Sequence, residues 1–210
     1  MPDIVCIGIV VADVIARSVD AYPQRGELSL CREMWPSIGG CAANTGIGLQ
    51  KLGVPTAIIG KVGRDGFGEM VRGILQGHNV DTSGLTSDEN AKTSATMVMI
   101  ASDGERSFIH YSGANAEFTA DDINWDLLRG AKLVHIGGNF LMPKFDGEPM
   151  AQFLKSQSPD ELWKASLKPK DPLKPDDPAK PANPLDPSNA APPVQAAKAP
   201  GTGLLVDTSA

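Results

Sequence analysis

Prolines recur at every third position from Pro169 through Pro172, Pro175, Pro178, Pro181 and Pro184 to Pro187. Polyproline II turns once in three residues, so all seven lie on one ridge of a semi-rigid rod. Glycine does not fill every third place as a collagen triple helix requires, and such a stretch buries too little apolar surface to fold as a globule. The window from Ser156 to Pro200 takes 11 of the 17 prolines and none of the 22 glycines. The fold is therefore expected from the other ~165 residues, enough for one substantial core but short of two full domains. The expected division is a folded part over 1–155, a proline-rich insertion or linker over 156–195, and a resumption over 196–210. For the proline ladder two readings stay open: a solvated spacer, or a ligand for a proline-recognising domain.

The first 150 residues alternate short apolar runs with helical patterns. Ile4–Val11 reads as one strand buried on both faces. A helix is expected over Asn44–Leu52, a strand over Pro55–Gly60 and a helix over Asp65–Gly77, whose Phe67, Met70, Val71, Ile74 and Leu75 form one stripe. Strand, glycine turn, helix, strand, helix is the grammar of a parallel α/β sheet. Two segments depart from it. Ser29–Ile38 is extended, and Thr96–Ala101 and Arg106–Tyr111 flank Ser102-Asp103-Gly104-Glu105, a hairpin signal. These are placed in a small separate layer. Thr119 is expected to cap a helix, and Lys132–Ile136 to form another buried strand. Ser158-Pro159-Asp160-Glu161 reads as a capping box for a short helix. Leu204–Asp207 reads as a new strand of a domain cut off in mid-course.

The formal charge is −6 with no Lys/Arg cluster, which argues against a nucleic-acid partner. No apolar run approaches the ~18–20 residues of a spanning helix, and the N-terminus has no basic leader pattern. Cys6, Cys31 and Cys41 have no metal-ligand spacing and are odd in number. The expectation is a cytoplasmic protein with no membrane partner and no metal site of its own.

The most informative stretch is Gly39-Gly40-Cys41-Ala42-Ala43-Asn44-Thr45-Gly46. Paired glycines before a helix allow positive φ and close approach of a ligand to backbone, and the helix start offers free N–H groups. Alone this is a weak signal, since many glycine turns serve only packing. It is followed by Gly53 and then by Gly60-Lys61-Val62-Gly63-Arg64-Asp65-Gly66-Phe67-Gly68. Asp13 follows the first strand, and Gly113-Ala114-Asn115 follows the hairpin. In this combination the sequence resembles the ribokinase (PfkB-type) family of carbohydrate kinases, from Ile4 to about Lys155 and again from about Ala196, with Gly46 where Ser, Thr or Ala is usual.

The resemblance implies a three-layer α/β fold with a mostly parallel sheet and a small β lid, about 14–38 and 93–112. It implies a sugar substrate, ATP and Mg²⁺. Asp13 and Asn44 would accept and donate hydrogen bonds to sugar hydroxyls, and Gly39 and Gly40 would let backbone amides reach the sugar. On the lid hairpin, alternation is read as placing Met97, Met99, Phe108 and His110 on one face, a ceiling for the pocket or simply lid packing. His135 and Asn139 flank the Gly137-Gly138 turn at another strand end; for His135 the core reading is preferred. Exposed lid edges imply pairing of two lids as a homodimer.

The departures are equally informative. The family's catalytic base lies in a Gly-Ala-Gly-Asp turn that also serves the ATP site, and that turn does not occur in this sequence. Nor do Gly-x-x-x-x-Gly-Lys-Ser/Thr, Gly-x-Ser-x-Gly or His-Glu-x-x-His. No catalytic residue and no nucleotide-binding residue is assigned. Cys41 stands where the ribokinase branch often has lysine, which argues against ribose. The expectation is an ATP-dependent sugar kinase by family, of which this chain carries the sugar-binding half. The alternatives are a non-catalytic sugar-binding remnant and a partner-binding protein acting through the proline arm.

Overall fold

The computed structural model describes residues 1–156. The proline ladder, the 158–161 capping box and the 204–207 strand lie outside the described residues. Strands β1 (Ile4–Gly8), β4 (Thr56–Gly63), β5 (Asp81–Asp88) and β8 (Leu133–Gly137) form a parallel sheet in the order β5-β4-β1-β8. A second sheet has the order β3-β2-β6-β7, built from β2 (Val11–Arg17), β3 (Glu33–Gly39), β6 (Ala95–Ile100) and β7 (Arg106–Tyr111). It is mixed: β2 runs parallel to β6 and antiparallel to β3, and β6–β7 is the expected hairpin.

Alternation along β1 and β4 divides the core between the faces of the parallel sheet. Cys6 and Ile58 face Ala42, Ala43 and Ile47 of α1 (Cys41–Lys51) and Val71 and Leu75 of α2 (Gly66–Gly77). Val5, Ile7, Ala57 and Ile59 face Phe118, Phe145, Leu128 of α4 (Trp125–Gly130) and Phe153 of α5 (Glu148–Ser156). Phe145 packs edge-on to Phe118 with ring centroids 5.2 Å apart. This is the expected α/β three-layer arrangement with its separate small sheet.

Four local expectations change. The Ile4–Val11 run is two strands in two sheets, because Gly8 turns the chain at φ +144° and Val11 already pairs with Gly39 in the small sheet. The first helix begins at Cys41, three residues earlier than its apolar pattern. Thr119 caps only a 3-10 turn, Ala120–Asp122, through a capping box with Asp122; α4 starts afresh after Asn124, whose side chain accepts from the amides of Asp126 and Leu127. Finally, β8 is an edge strand of the described sheet with Leu133 and Val134 exposed, not a buried one.

The chain passes between the sheets four times, and the crossings gather in one place. The buried Asn115, just after the short helix α3 (Gly113–Ala116) begins, accepts from the Val10 amide at 3.3 Å and donates to the Val10 carbonyl at 2.9 Å. Its own amide donates to Ser94 Oγ at 3.0 Å, and that hydroxyl donates to the Ser112 carbonyl. A Cβ on Gly40 would press on Ile9 and Val10, and one on Gly113 would press on Lys92 and Ser94. Asp65 ties the same corner to α2. It caps that helix by accepting from the Gly68 amide at 2.9 Å, and accepts from the Thr93 amide at 2.9 Å and hydroxyl at 2.7 Å. Burial acts to raise the Asp65 pKa, but these bonds outweigh it and the carboxyl is held below its ordinary value.

Candidate functional site

Strand order reverses at β1. The chain moves outward from β1 to β4 and β5, then returns to lay β8 on the other side of β1. In open α/β sheets such a switch point leaves a crevice at the carboxyl ends of the strands. Here the crevice is made of glycine backbone. Gly8 pairs with Gly137, and a Cβ on Gly137 would lie 2.9 Å from Cys41 Cβ, 3.0 Å from His135 Nε2 and 3.4 Å from the Ala42 amide. The start of α1 and the end of β8 therefore meet closely only because Gly137 has no side chain. Gly40, at φ +94°, forms the N-cap position of α1, which no side chain caps.

The small sheet stands at this edge. Its register puts Ser37, Asp13, Thr96 and His110 in one row across β3, β2, β6 and β7, all on the same face. Gly39 is on that face too, and the Asp13 carboxylate lies directly over its Cα: a Cβ there would be 2.9 Å from Asp13 Cγ and closer still to Oδ2. Asp13 is half-buried. Burial pushes its carboxyl above the usual value, while the neighbouring Thr96 hydroxyl and the nearby His110 ring act in the opposite direction. His110 Nδ1 is 3.0 Å from Thr96 Oγ1. The next row on this face is apolar, with Trp35, Ile15, Val98 and Phe108.

The predicted residues are thus partly assembled. Asp13, Gly39 and His110 share one patch, and Gly40 adjoins it at the start of α1. Asn44 is exposed on α1 and lines a groove of about 450 Å³ with Pro36, Ser37, Ile38, Lys51 and His78; Asp13 does not line it. Ser37 belongs to both. Asn139 is exposed in the turn after β8, on the same sheet edge. The expectation that Met97, Met99, Phe108 and His110 share a face is wrong. Met97 stands opposite Ile109 and Met99 opposite Ser107, whereas Phe108 and His110 stand opposite Val98 and Thr96. Five residues, 101–105, connect β6 to β7, so even positions pair with even and odd with odd. Met97 and Met99 therefore face away from Asp13.

Thr96 and Ser37 were missed. Ser37 follows from counting back by two from Gly39, but Thr96 emerges only from the parallel pairing of β2 with β6. The Gly60–Gly68 motif proves to serve the crossing corner: Gly63 and Gly68 pack against Thr93, and Asp65 caps α2. Among the described residues no group of three or more His, Cys, Asp or Glu is arranged to hold a metal ion. No described helix is long and apolar enough to cross a membrane.

Comparison with known proteins agrees with this architecture. The model for the pfkB family carbohydrate kinases matches residues 1–170. The chain is 42% identical to probable fructokinase-3 of Arabidopsis thaliana over 101 residues, 47% of this chain and 29% of that protein. It is 34% identical to that plant's probable fructokinase-6 over 140 residues, 65% of this chain and 35% of the relative. The match thus spans about a third of these relatives' length. Among solved structures, Arabidopsis thaliana ribokinase complexed with ribose and ATP superposes with a TM-score of 0.60 at 26% identity, covering 79% of this chain and 51% of that one. An uncharacterized sugar kinase of Pyrococcus horikoshii in complex with ATP gives 0.58 at 31% identity, covering 72% and 47%. A family match over 170 of 210 residues, carried by a fold of the same layers, settles the kinship: the chain belongs to the pfkB family of carbohydrate kinases.

Proposed function

We propose that residues 1–156 bind the acceptor sugar of an ATP-dependent kinase reaction, with a ketohexose such as fructose as the first sugar to test. The observation that carries this is the Asp13 carboxylate seated over Gly39 at the switch-point edge, beside the uncapped start of α1. An ionised carboxylate accepts hydrogen bonds from vicinal hydroxyls, and backbone amides at a helix start take the sugar oxygens. Gly39 and Gly40 hold the backbone clear, while Asn44 and Asn139 bind at the margin of the same edge. The Trp35–Ile15–Val98–Phe108 row gives the apolar cover that a sugar ring needs and that water exclusion requires. The fructokinase relatives support the choice of sugar.

For ATP and Mg²⁺ the described residues do not fit. They contain no metal-holding cluster, and the sequence has no Gly-Ala-Gly-Asp turn. Phosphoryl transfer needs charge neutralisation and an acceptor-activating base. No transfer step is therefore assigned to these residues, and the activity proposed for the whole kinase is carried here only as far as sugar binding. The protein is proposed to be cytoplasmic and to pair through its lid with a second copy. The lid face turned away from Asp13 supports this, since Met34, Met97, Ile109 and Tyr111 are all about half exposed or more.

Titration calorimetry of the purified chain tests the reading, with fructose, ribose and Mg-ATP in separate runs. Fructose heat that Asp13→Ala abolishes, with none from Mg-ATP, is expected. Saturable Mg-ATP binding without sugar would overturn the assignment, as would fructose binding that survives Asp13→Ala.

A further inference from the structure

The row Asp13–Thr96–His110 carries more than a sugar contact. Thr96 has one hydroxyl proton and sits between two groups that need it. An ionised carboxylate only accepts, and the register sets Asp13 beside Thr96 on the adjacent strand, so the proton of Thr96 is assigned to Asp13. The hydroxyl oxygen is then left to accept from its other neighbour, the His110 ring nitrogen 3.0 Å away. That nitrogen, Nδ1, must carry a proton. The neutral ring is therefore the Nδ1–H tautomer, opposite to the one free histidine prefers, and its Nε2 is left with an open lone pair.

We propose that Thr96 and His110 are positioning residues for Asp13: His110 Nδ1–H donates to Thr96 Oγ1, Thr96 donates to Asp13, and the chain of bonds orients the carboxylate toward the acceptor sugar. The proposal rests on the sugar-site reading for its purpose but not for its geometry. Three strands supply one residue each at the same level of the sheet, so backbone register alone brings the groups together. Among charged groups on this face, Asp13 alone shares the row of His110. Arg17, Glu33 and Arg106 stand two rows away, beyond the apolar row that includes Val98 and Phe108. On β6, the strand between, the neighbours are Thr96 and Val98, neither ionisable.

The test uses the full 210-residue chain. Its three histidines make the imidazoles easy to assign in long-range proton–nitrogen spectra. At pH 8 His110 is expected as the Nδ1–H tautomer in the wild type and in Thr96→Ser, and as Nε2–H in Thr96→Val. An Nε2–H ring in the wild type would overturn the proposal. The Asp13 carboxyl carbon titration gives a second, sugar-free readout. It is expected to move upward in Thr96→Val and, by less, in His110→Leu, and to stay in place in Thr96→Ser; an Asp13 titration indifferent to Thr96→Val overturns the positioning role. With fructose, Thr96→Val and His110→Leu should each weaken binding about five- to tenfold, and the double variant no further than Thr96→Val alone. Additive losses would contradict a single chain of bonds. A wild type that shows the tautomer and the titration but binds no fructose keeps the positioning and sinks the sugar reading.

Discussion

Asp13 is held in a conflict that its surroundings only partly resolve. Burial raises its carboxyl pKa, against the pull of Thr96 and His110. A carboxyl raised in the folded state favours the fold below its unfolded pKa, and that contribution is lost as pH rises through the raised value. Asp13→Asn is thus expected to melt at pH 7 no lower than the wild type while binding fructose about 10- to 100-fold more weakly, since bonds to a charged acceptor are the stronger kind. Wild-type affinity should fall as pH drops from 7 toward 4, and the fall should begin above the ordinary carboxylate range. Flat affinity across that interval would deny Asp13 its role as ionised acceptor. The two glycines beside it are expected to differ. In Gly39→Ala the new methyl meets the end of the Asp13 side chain, which can swing, so sugar affinity should suffer more than stability. Gly40→Ala meets the backbone of Ile9 and Val10 at φ +94° and should cost about 2–3 kcal/mol in urea unfolding.

At the scale of elements, the crossing corner depends on one side chain. Asn115 replaces with its amide the pair of bonds that a neighbouring strand would give Val10. Asn115→Ala leaves a buried N–H and a buried carbonyl without partners, each costing about 1–3 kcal/mol. Hydrogen exchange should then quicken in β2 and β6 before it does in β1 and β4; uniform quickening would mean that the corner is not a boundary between the sheets. This corner also marks the limit of legibility. Helices α1 and α2 and strand β4 were readable because periodicity and apolar runs are local. The break in Ile4–Val11 was not, because apolar residues continue across it and the partner that separates the halves lies 105 residues away. The hairpin strands were found, but their shared face was not, since it depends on whether the turn through Gly104 contains an odd or even number of residues. Of the candidate site, Asp13 and the Gly39–Gly40 turn were named through the family resemblance that their motif carries. Thr96 gains its place only from the parallel β2–β6 register, which no short-range pattern encodes.

For the molecule as a whole, a partly buried ion cluster fastens one end of the parallel sheet. Lys61 on β4 reaches Asp122 at 2.9 Å and Asp88 at 3.6 Å and donates to the Glu117 carbonyl at 3.0 Å. With both the lysine and Asp122 about one-eighth exposed, removing one partner strands a charge in poor solvent. Lys61→Met should lower unfolding free energy by about 3 kcal/mol in urea; a loss below 1 kcal/mol would show that water reaches the cluster freely. Assembly is tested at the same scale. If two lids pair through the face opposite Asp13, light scattering should give twice the chain mass, and Ile109→Glu should return it to one without changing the fructose isotherm.

The gathering of all four crossings at one corner makes the small sheet a module with a single port. Its strands leave and re-enter within a few residues of Val10, Gly40, Ser94 and Gly113; Asp65, Asn115 and Ser94 tie it to its base there, while Ala12, Ile38 and Ala95 pack on the core below. A lid of different residues could be exchanged through that port without redrawing the parallel sheet. In such an exchange the row proposed to receive the ligand travels with the lid, while the glycine edge that receives the chain stays behind.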